Sequence, residues 1–203
     1  MITRTVVAAA ALVAAAAGLA AGLLLAGGAL RTPVPVEGSA DVGFARDMQA
    51  HHAQAVEMAL LVGERSADAE LRQVALDIVL TQQQQQGQMY GWLAVWSLPQ
   101  ASSAVPMAWA DGHGHGGGAG GDGAMPGMAT PGQVTALRAA DGVAAERLFL
   151  ELMIGHHEGG VAMARSALEL AEHSAVRRLA QAVVDSQTAE IAVLEGLLAE
   201  RGS

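Results

Sequence analysis

Residues 48–58 read Met-Gln-Ala-His-His-Ala-Gln-Ala-Val-Glu-Met, and residues 153–163 read Met-Ile-Gly-His-His-Glu-Gly-Gly-Val-Ala-Met. Both carry the skeleton Met-x-x-His-His-x-x-x-Val-x-Met, and His156 follows His51 by 156 − 51 = 105 residues. The same offset places Phe44 on Phe149, Leu71 on Val176, Arg72 on Arg177, Ala75 on Ala180, Gln82 on Gln187, Gly91 on Gly196 and Leu93 on Leu198. The chain therefore contains one unit of about 55 residues twice over. Within each unit apolar residues recur at helical spacing, and the pattern breaks at Gly63-Glu64-Arg65-Ser66 and again at Glu172-His173-Ser174. Each unit is thus predicted to be a helical hairpin.

One face of the first helix carries Phe44, Met48, Ala55, Ala59 and Val62, with His51 and His52 on its flanks. The second helices carry stripes of Leu71, Ala75, Ile78, Met89 and Leu93, and of Val176, Ala180, Val183, Leu194 and Leu198. A lone hairpin cannot bury such a stripe, so the expected fold is all-α, a four-helix bundle of two hairpins about a pseudo-twofold axis. The composition agrees: 52% of residues are hydrophobic but only 3% aromatic, which favours helices packed through small side chains.

Between the copies lies a stretch rich in Gly, Pro, Ala and Ser, too long for an ordinary bundle turn and expected to be a mobile crossover. Thr130-Pro131 is predicted to cap and start a short helix that Asp141-Gly142 ends. The N-terminus is uncharged from Thr5 to Leu30, more than the roughly 20 residues that cross a bilayer. The expected organisation is a membrane anchor or signal segment at 1–40, hairpins at 41–98 and 134–203, and the crossover at 99–133. Arg4 favours an N-inside orientation, which puts the bundle outside the cytoplasmic membrane. Cleavage near Gly38-Ser39-Ala40 would instead yield a secreted or periplasmic protein.

A formal charge of −9 without a Lys/Arg cluster argues against nucleic acid and for cations. The chain has no cysteine but seven histidines and nine methionines, so a soft metal would have to be held by imidazole and thioether. Met48 lies one turn from His51 and His52, and Met153 stands likewise to His156 and His157. The pseudo-twofold is expected to bring the two clusters to one level. Met58 is ten residues from Met48, roughly 15 Å along a helix, so those two sulfurs cannot share an ion. Nitrogen and thioether donors without a shared carboxylate suit a copper ion, Cu(I) or Cu(II), over calcium or magnesium. Gln82 and Gln187 are expected to orient the ligand rings. The crossover adds His113, His115, Met107, Met125 and Met128, a loose metal tract or simply a linker.

The phrases from Phe44 to Ala59 and from Phe149 to Ala164 resemble the bacterial DUF305 family, over about residues 41–203. The resemblance implies a ferritin-like four-helix bundle in exported proteins, some of which bind copper or confer copper tolerance. It implies Met48, His51, His52, Met58, Met153, His156, His157 and Met163 as metal-binding residues. The function expected is reversible copper chelation rather than catalysis. Two alternatives stand beside it: a ferritin-like di-iron oxidoreductase, and a membrane-tethered structural module whose histidines only pack. The first needs inward glutamates that the repeat does not supply, since Glu57 lies off the stripe and its counterpart is Ala162.

Overall fold

The computed structural model describes residues 18–19, 33–110 and 125–202. The chain divides at Val34, and the helices that follow belong to the unit from Pro35 onward. Among the described residues there are five helices and no strand: α1 (Ala40–Arg65), α2 (Ala69–Val95), α3 (Pro131–Ala139), α4 (Gly142–Leu170) and α5 (Ser174–Glu200). α1 packs along α2 and α4 along α5, and the two hairpins meet through α1 and α4. The result is a helical bundle.

Each boundary has a local cause. The Ser39 side chain accepts from the Val42 N–H and Asp68 from those of Glu70 and Leu71, satisfying first-turn donors of α1 and α2 that the helices leave unpaired. Thr130 caps α3 with Pro131 at its first position, as the sequence predicted, and Gln133 completes a reciprocal capping box. Asp141 precedes α4 without a side-chain cap, and His173 caps α5 by accepting from the Ala175 N–H.

The apolar stripes are buried as expected, except that Leu197 is 4% exposed and takes the core position while Leu198 is only partly buried. The core falls into two clusters. One joins Ala55, Met58, Ala59 and Val62 of α1 to Phe149, Leu150 and Met153 of α4; the other joins Phe44, Ala45 and Met48 to Met163, Ala164 and Ala167. Early α1 thus meets late α4, and the two first helices of the repeat cross head to tail. Between these clusters α1 and α4 carry His51, His52, His156 and His157, all at 0% exposure.

The corners reproduce the duplication. Asp41 and Glu146 occupy equivalent buried positions, 146 − 41 = 105, and each reaches the opposite hairpin's turn. Asp41 accepts from the N–H groups of Glu172 and His173. Glu146 accepts from the Ser66 hydroxyl at 2.6 Å and from Arg201 at 2.8 Å.

One expectation falls outside the described residues and another needs adjustment. The predicted membrane span, 5–30, lies outside the described residues apart from 18–19, and among the described residues no helix is long and apolar enough to cross a membrane. The crossover is docked at both of its described ends. Asp47 accepts from the Met107 N–H and the Trp109 indole N–H, each at 2.8 Å, and Trp109 meets Phe44 edge to face. At the far end Gln54 pairs through both amide atoms with the backbone of Ala129. The predicted His113 and His115 lie outside the described residues.

Candidate metal centre

The four predicted histidines form one layer where α1 and α4 cross. His51 and His156, equivalent positions of the two copies, stack with centroids 3.7 Å apart and planes 34° from parallel. Neighbouring rings on one helix diverge: His51 and His52 are 6.4 Å apart, as are His156 and His157. One histidine of each pair therefore faces the other half, and the second turns into its own hairpin. His52 Nε2 lies 2.6 Å from Gln85 Oε1, and His157 Nε2 lies 2.7 Å from Glu190 Oε2.

These partners fix the protons. A carbonyl or carboxylate oxygen only accepts, so the nitrogen facing it carries N–H. His51 Nε2 donates to the Pro126 carbonyl at 3.1 Å, and His52 and His157 donate through Nε2 to Gln85 and Glu190. In a neutral ring so bonded, Nδ1 is left as a bare lone pair. Burial pushes His51 down to about 4 and His52 down to about 3, against the hydrogen bonds they donate to Pro126 and Gln85, which favour the charged form. Burial, followed by the neighbouring rings, holds His156 well below its ordinary value. All four Nδ1 atoms are buried without a hydrogen-bond partner, as is His156 Nε2.

Gln82 and Gln187 do not orient the rings. They lie on the buried stripes at 2% exposure, but their amide oxygens and nitrogens are unpartnered, and the ring partners sit one turn further on. A Cβ at Gly160 would overlap the Gln187 amide and lie 3.2 Å from His51 Cε1, so the missing side chain there makes room beside the stacked rings.

The methionines are arranged differently from the sequence expectation. Met48 packs in one cluster with Met163, and Met153 in the other with Met58. Head-to-tail crossing causes this: it unites the equivalent histidines near the axis and sends equivalent methionines to opposite sides. Among the described residues no three His, Asp or Glu side chains converge as a ready-made chelate. A cavity of about 140 Å³ lies against Glu37, Arg46, Asp47, Val105 and Trp109, none of them a candidate ligand. Its charged groups are already engaged: Arg46 by Glu37 and Pro99, Asp47 by Met107 and Trp109.

A strap covers the layer on one side. Met125 packs against the Met48 cluster and Ala129 belongs to the Met58 cluster, so the strap spans the histidines and engages His51 through Pro126. Gly127 has φ +73°, and a Cβ added there would overlap the Gly155 carbonyl oxygen and lie 3.0 Å from the Cα atoms of both His156 and Gly159, while a Cβ at Gly159 would overlap the Pro126 carbonyl. Gly159→Ala is accordingly expected to lift the strap and lower stability by about 1–2 kcal/mol, because backbone would have to yield to side chain. Thermal melts and proteolysis near residue 126 check this; an unchanged melt with no new cleavage would contradict it.

A family model described as "Domain of unknown function (DUF305)" matches residues 41–198. The chain belongs to the DUF305 family. A DUF305 protein from Streptomyces coelicolor is 46% identical, with a TM-score of 0.75 over 83% of this chain and 97% of that one. A DUF305 fragment from Deinococcus radiodurans is 36% identical, with a TM-score of 0.68 over 83% and 99%. CopM in its Cu(II)-bound form is 24% identical, with a TM-score of 0.63 over 79% and 96%, a likeness of fold. CopM is also known in Cu(I)-bound and Ag-bound forms. Among functionally curated proteins none matches this chain.

Proposed function

We propose that this DUF305 protein binds a soft metal ion, copper foremost, in the histidine layer, and serves copper buffering or tolerance outside the cytoplasmic membrane. One observation carries the reading: four buried Nδ1 atoms have no hydrogen-bond partner. Buried polar groups left unpaired cost about 1–3 kcal/mol each, and a Lewis acid among the rings would offset that cost. His51, His156 and their neighbours His52 and His157 would supply nitrogen, and Met48, Met58, Met153 and Met163 line the flanking clusters as thioethers. The copper- and silver-bound CopM structures, which share the fold, support the same reading. The bundle would be held at the membrane by residues 5–30.

A di-iron oxidase is disfavoured by the site's chemistry. Glu57 is ion-paired with Arg138 rather than with a histidine, and Glu190 is the carboxylate bonded to a ring of the layer. Purely structural histidines would be expected to satisfy their ring nitrogens.

The test is a competition titration of the full chain with Cu(I) and Ag(I). His51→Ala with His156→Ala is expected to weaken binding at least 100-fold, and alanine at all four positions to abolish it, while circular dichroism shows the helices retained. Affinity unchanged in the fourfold variant would overturn the proposal.

A further inference from the structure

The two halves of the histidine layer differ in charge. Positions 85 and 190 are equivalent, 190 − 85 = 105, and each accepts the Nε2–H of its hairpin's inward-turned ring. The first half uses a neutral amide, Gln85, and the second a carboxylate, Glu190. Geometry is conserved between the halves, at 2.6 and 2.7 Å, while a full negative charge is added to one of them. A hydrogen bond that only held the ring would not need that charge, as His52 demonstrates.

Resting on the metal-binding reading above, we propose that Glu190, acting through His157, is the countercharge of the layer and matches it to a monovalent soft cation, Cu(I) or Ag(I). The four rings are fully buried, and a cation there loses its hydration, so its net charge must be met by the protein. An imidazole that gives its lone pair to a metal ion is neutral, so the four rings bring no charge of their own to the bound ion. Gln82 and Gln187, and the methionines of the two flanking clusters, are buried and carry no charge. One Glu190 carboxylate and one monovalent ion leave the layer neutral, whereas a divalent ion leaves it with an uncompensated positive charge. Glu190 is 24% exposed at its side chain, so water screens part of its field and its influence is moderate. It is a positioning and charge-setting residue, since its Oε2 accepts the His157 Nε2–H while the lone pair open to a metal is on Nδ1.

The test exploits the built-in precedent. Glu190→Gln reproduces the arrangement that already holds His52, so the ring keeps its hydrogen bond and the fold its packing. Gln85→Glu does the converse and adds a second negative charge. A charge effect scales with the charge of the ion. Titrations of the full chain with Ag(I) and with Zn(II), both redox-inert, are expected to show Glu190→Gln weakening Ag(I) about tenfold and Zn(II) by about the square of that factor. Gln85→Glu should strengthen both, Zn(II) the more, and shift the preference toward the divalent ion. Equal losses for the two ions, or no change in either variant, would overturn the assignment while leaving metal binding intact. Failure of the unaltered chain to bind either ion would overturn the metal-binding reading and this one with it. Gln85→Glu also guards against a misfolded Glu190→Gln, because a gain of divalent affinity cannot come from damage.

Discussion

Arg201→Ala is expected to lower the stability of the bundle by about 3 kcal/mol, the cost of removing one partner from a buried ion pair. Arg201 donates to Glu146 at 2.8 Å and to Asp68 at 2.7 Å, and holds the Leu197 carbonyl at 2.8 Å. It fastens the end of α5 to the start of α4 and to the turn between α1 and α2. Both members of the inner pair are nearly shielded, at 8% and 7% side-chain exposure, whereas Asp68 is 38% exposed and its share is screened. Burial drives the Glu146 carboxyl up, but hydrogen bonds from Ser66 and Arg201 more than reverse this and hold it below its usual value. Removing Arg201 leaves that carboxylate buried with Ser66 alone. Chemical denaturation should show the midpoint falling at constant slope. Glu146→Gln, which keeps a polar partner for Ser66 and Arg201, should lose less than Arg201→Ala. A loss under about 0.5 kcal/mol for Arg201→Ala would mean the pair is as weak as an exposed one.

The helices were legible because periodicity and punctuation coincide: Phe44, Met48, Ala55 and Val62 recur at helical spacing, and the breaks at Ser66 and His173 fall where polar residues cap the next helix. The meeting of His51 with His156 followed from the duplication, since equivalent residues near a twofold axis must approach one another. What the repeat could not give was the direction of crossing. Parallel or head-to-tail helices place the histidines alike but distribute Met48, Met58, Met153 and Met163 differently, and no local pattern distinguishes them. The ring partners were missed by one turn. Gln82 and Gln187 stand out because they are identical, yet Gln85 and Glu190 share the offset and lie on the same inward stripe. A reading that asked for polar residues in both copies, rather than identical ones, would have found them. The strap was hidden because Met-Pro-Gly-Met has the composition of a linker. Its docking depends on Gly159, whose counterpart in the first copy is Gln54, the residue that ties down Ala129. The same repeat position is thus a seat in one half and a clasp in the other.

The metal-free chain is expected to be acid-labile, losing on the order of several kcal/mol between about pH 6.5 and pH 4. Once unfolded, His51, His52 and His156 bind protons near pH 6.5, but in the fold burial lowers their affinity for protons, to about 4 for His51 and about 3 for His52. Between those limits the unfolded chain holds more protons than the native one, so stability rises with pH there. The contribution is fully present above pH 6.5 and is lost as pH falls toward the native values. Asp47 works in the opposite sense, because burial raises its carboxyl despite the bonds from Met107 and Trp109, but it is one group against three. Lowered Glu146 adds to the acid loss at the bottom of the range. A denaturation series from pH 8 to pH 4 measures the slope, and His51→Leu with His156→Leu supplies the control, since an apolar side chain in place of each ring has no proton to gain. That double variant should flatten the slope. A metal held on Nδ1 competes with the proton for the same lone pair, so Ag(I) at a concentration that saturates the unaltered chain should move its acid midpoint downward and move that of the weaker-binding double variant less. An acid transition that neither the substitutions nor Ag(I) displaces would place the proton uptake elsewhere in the fold and remove the buried rings as its cause.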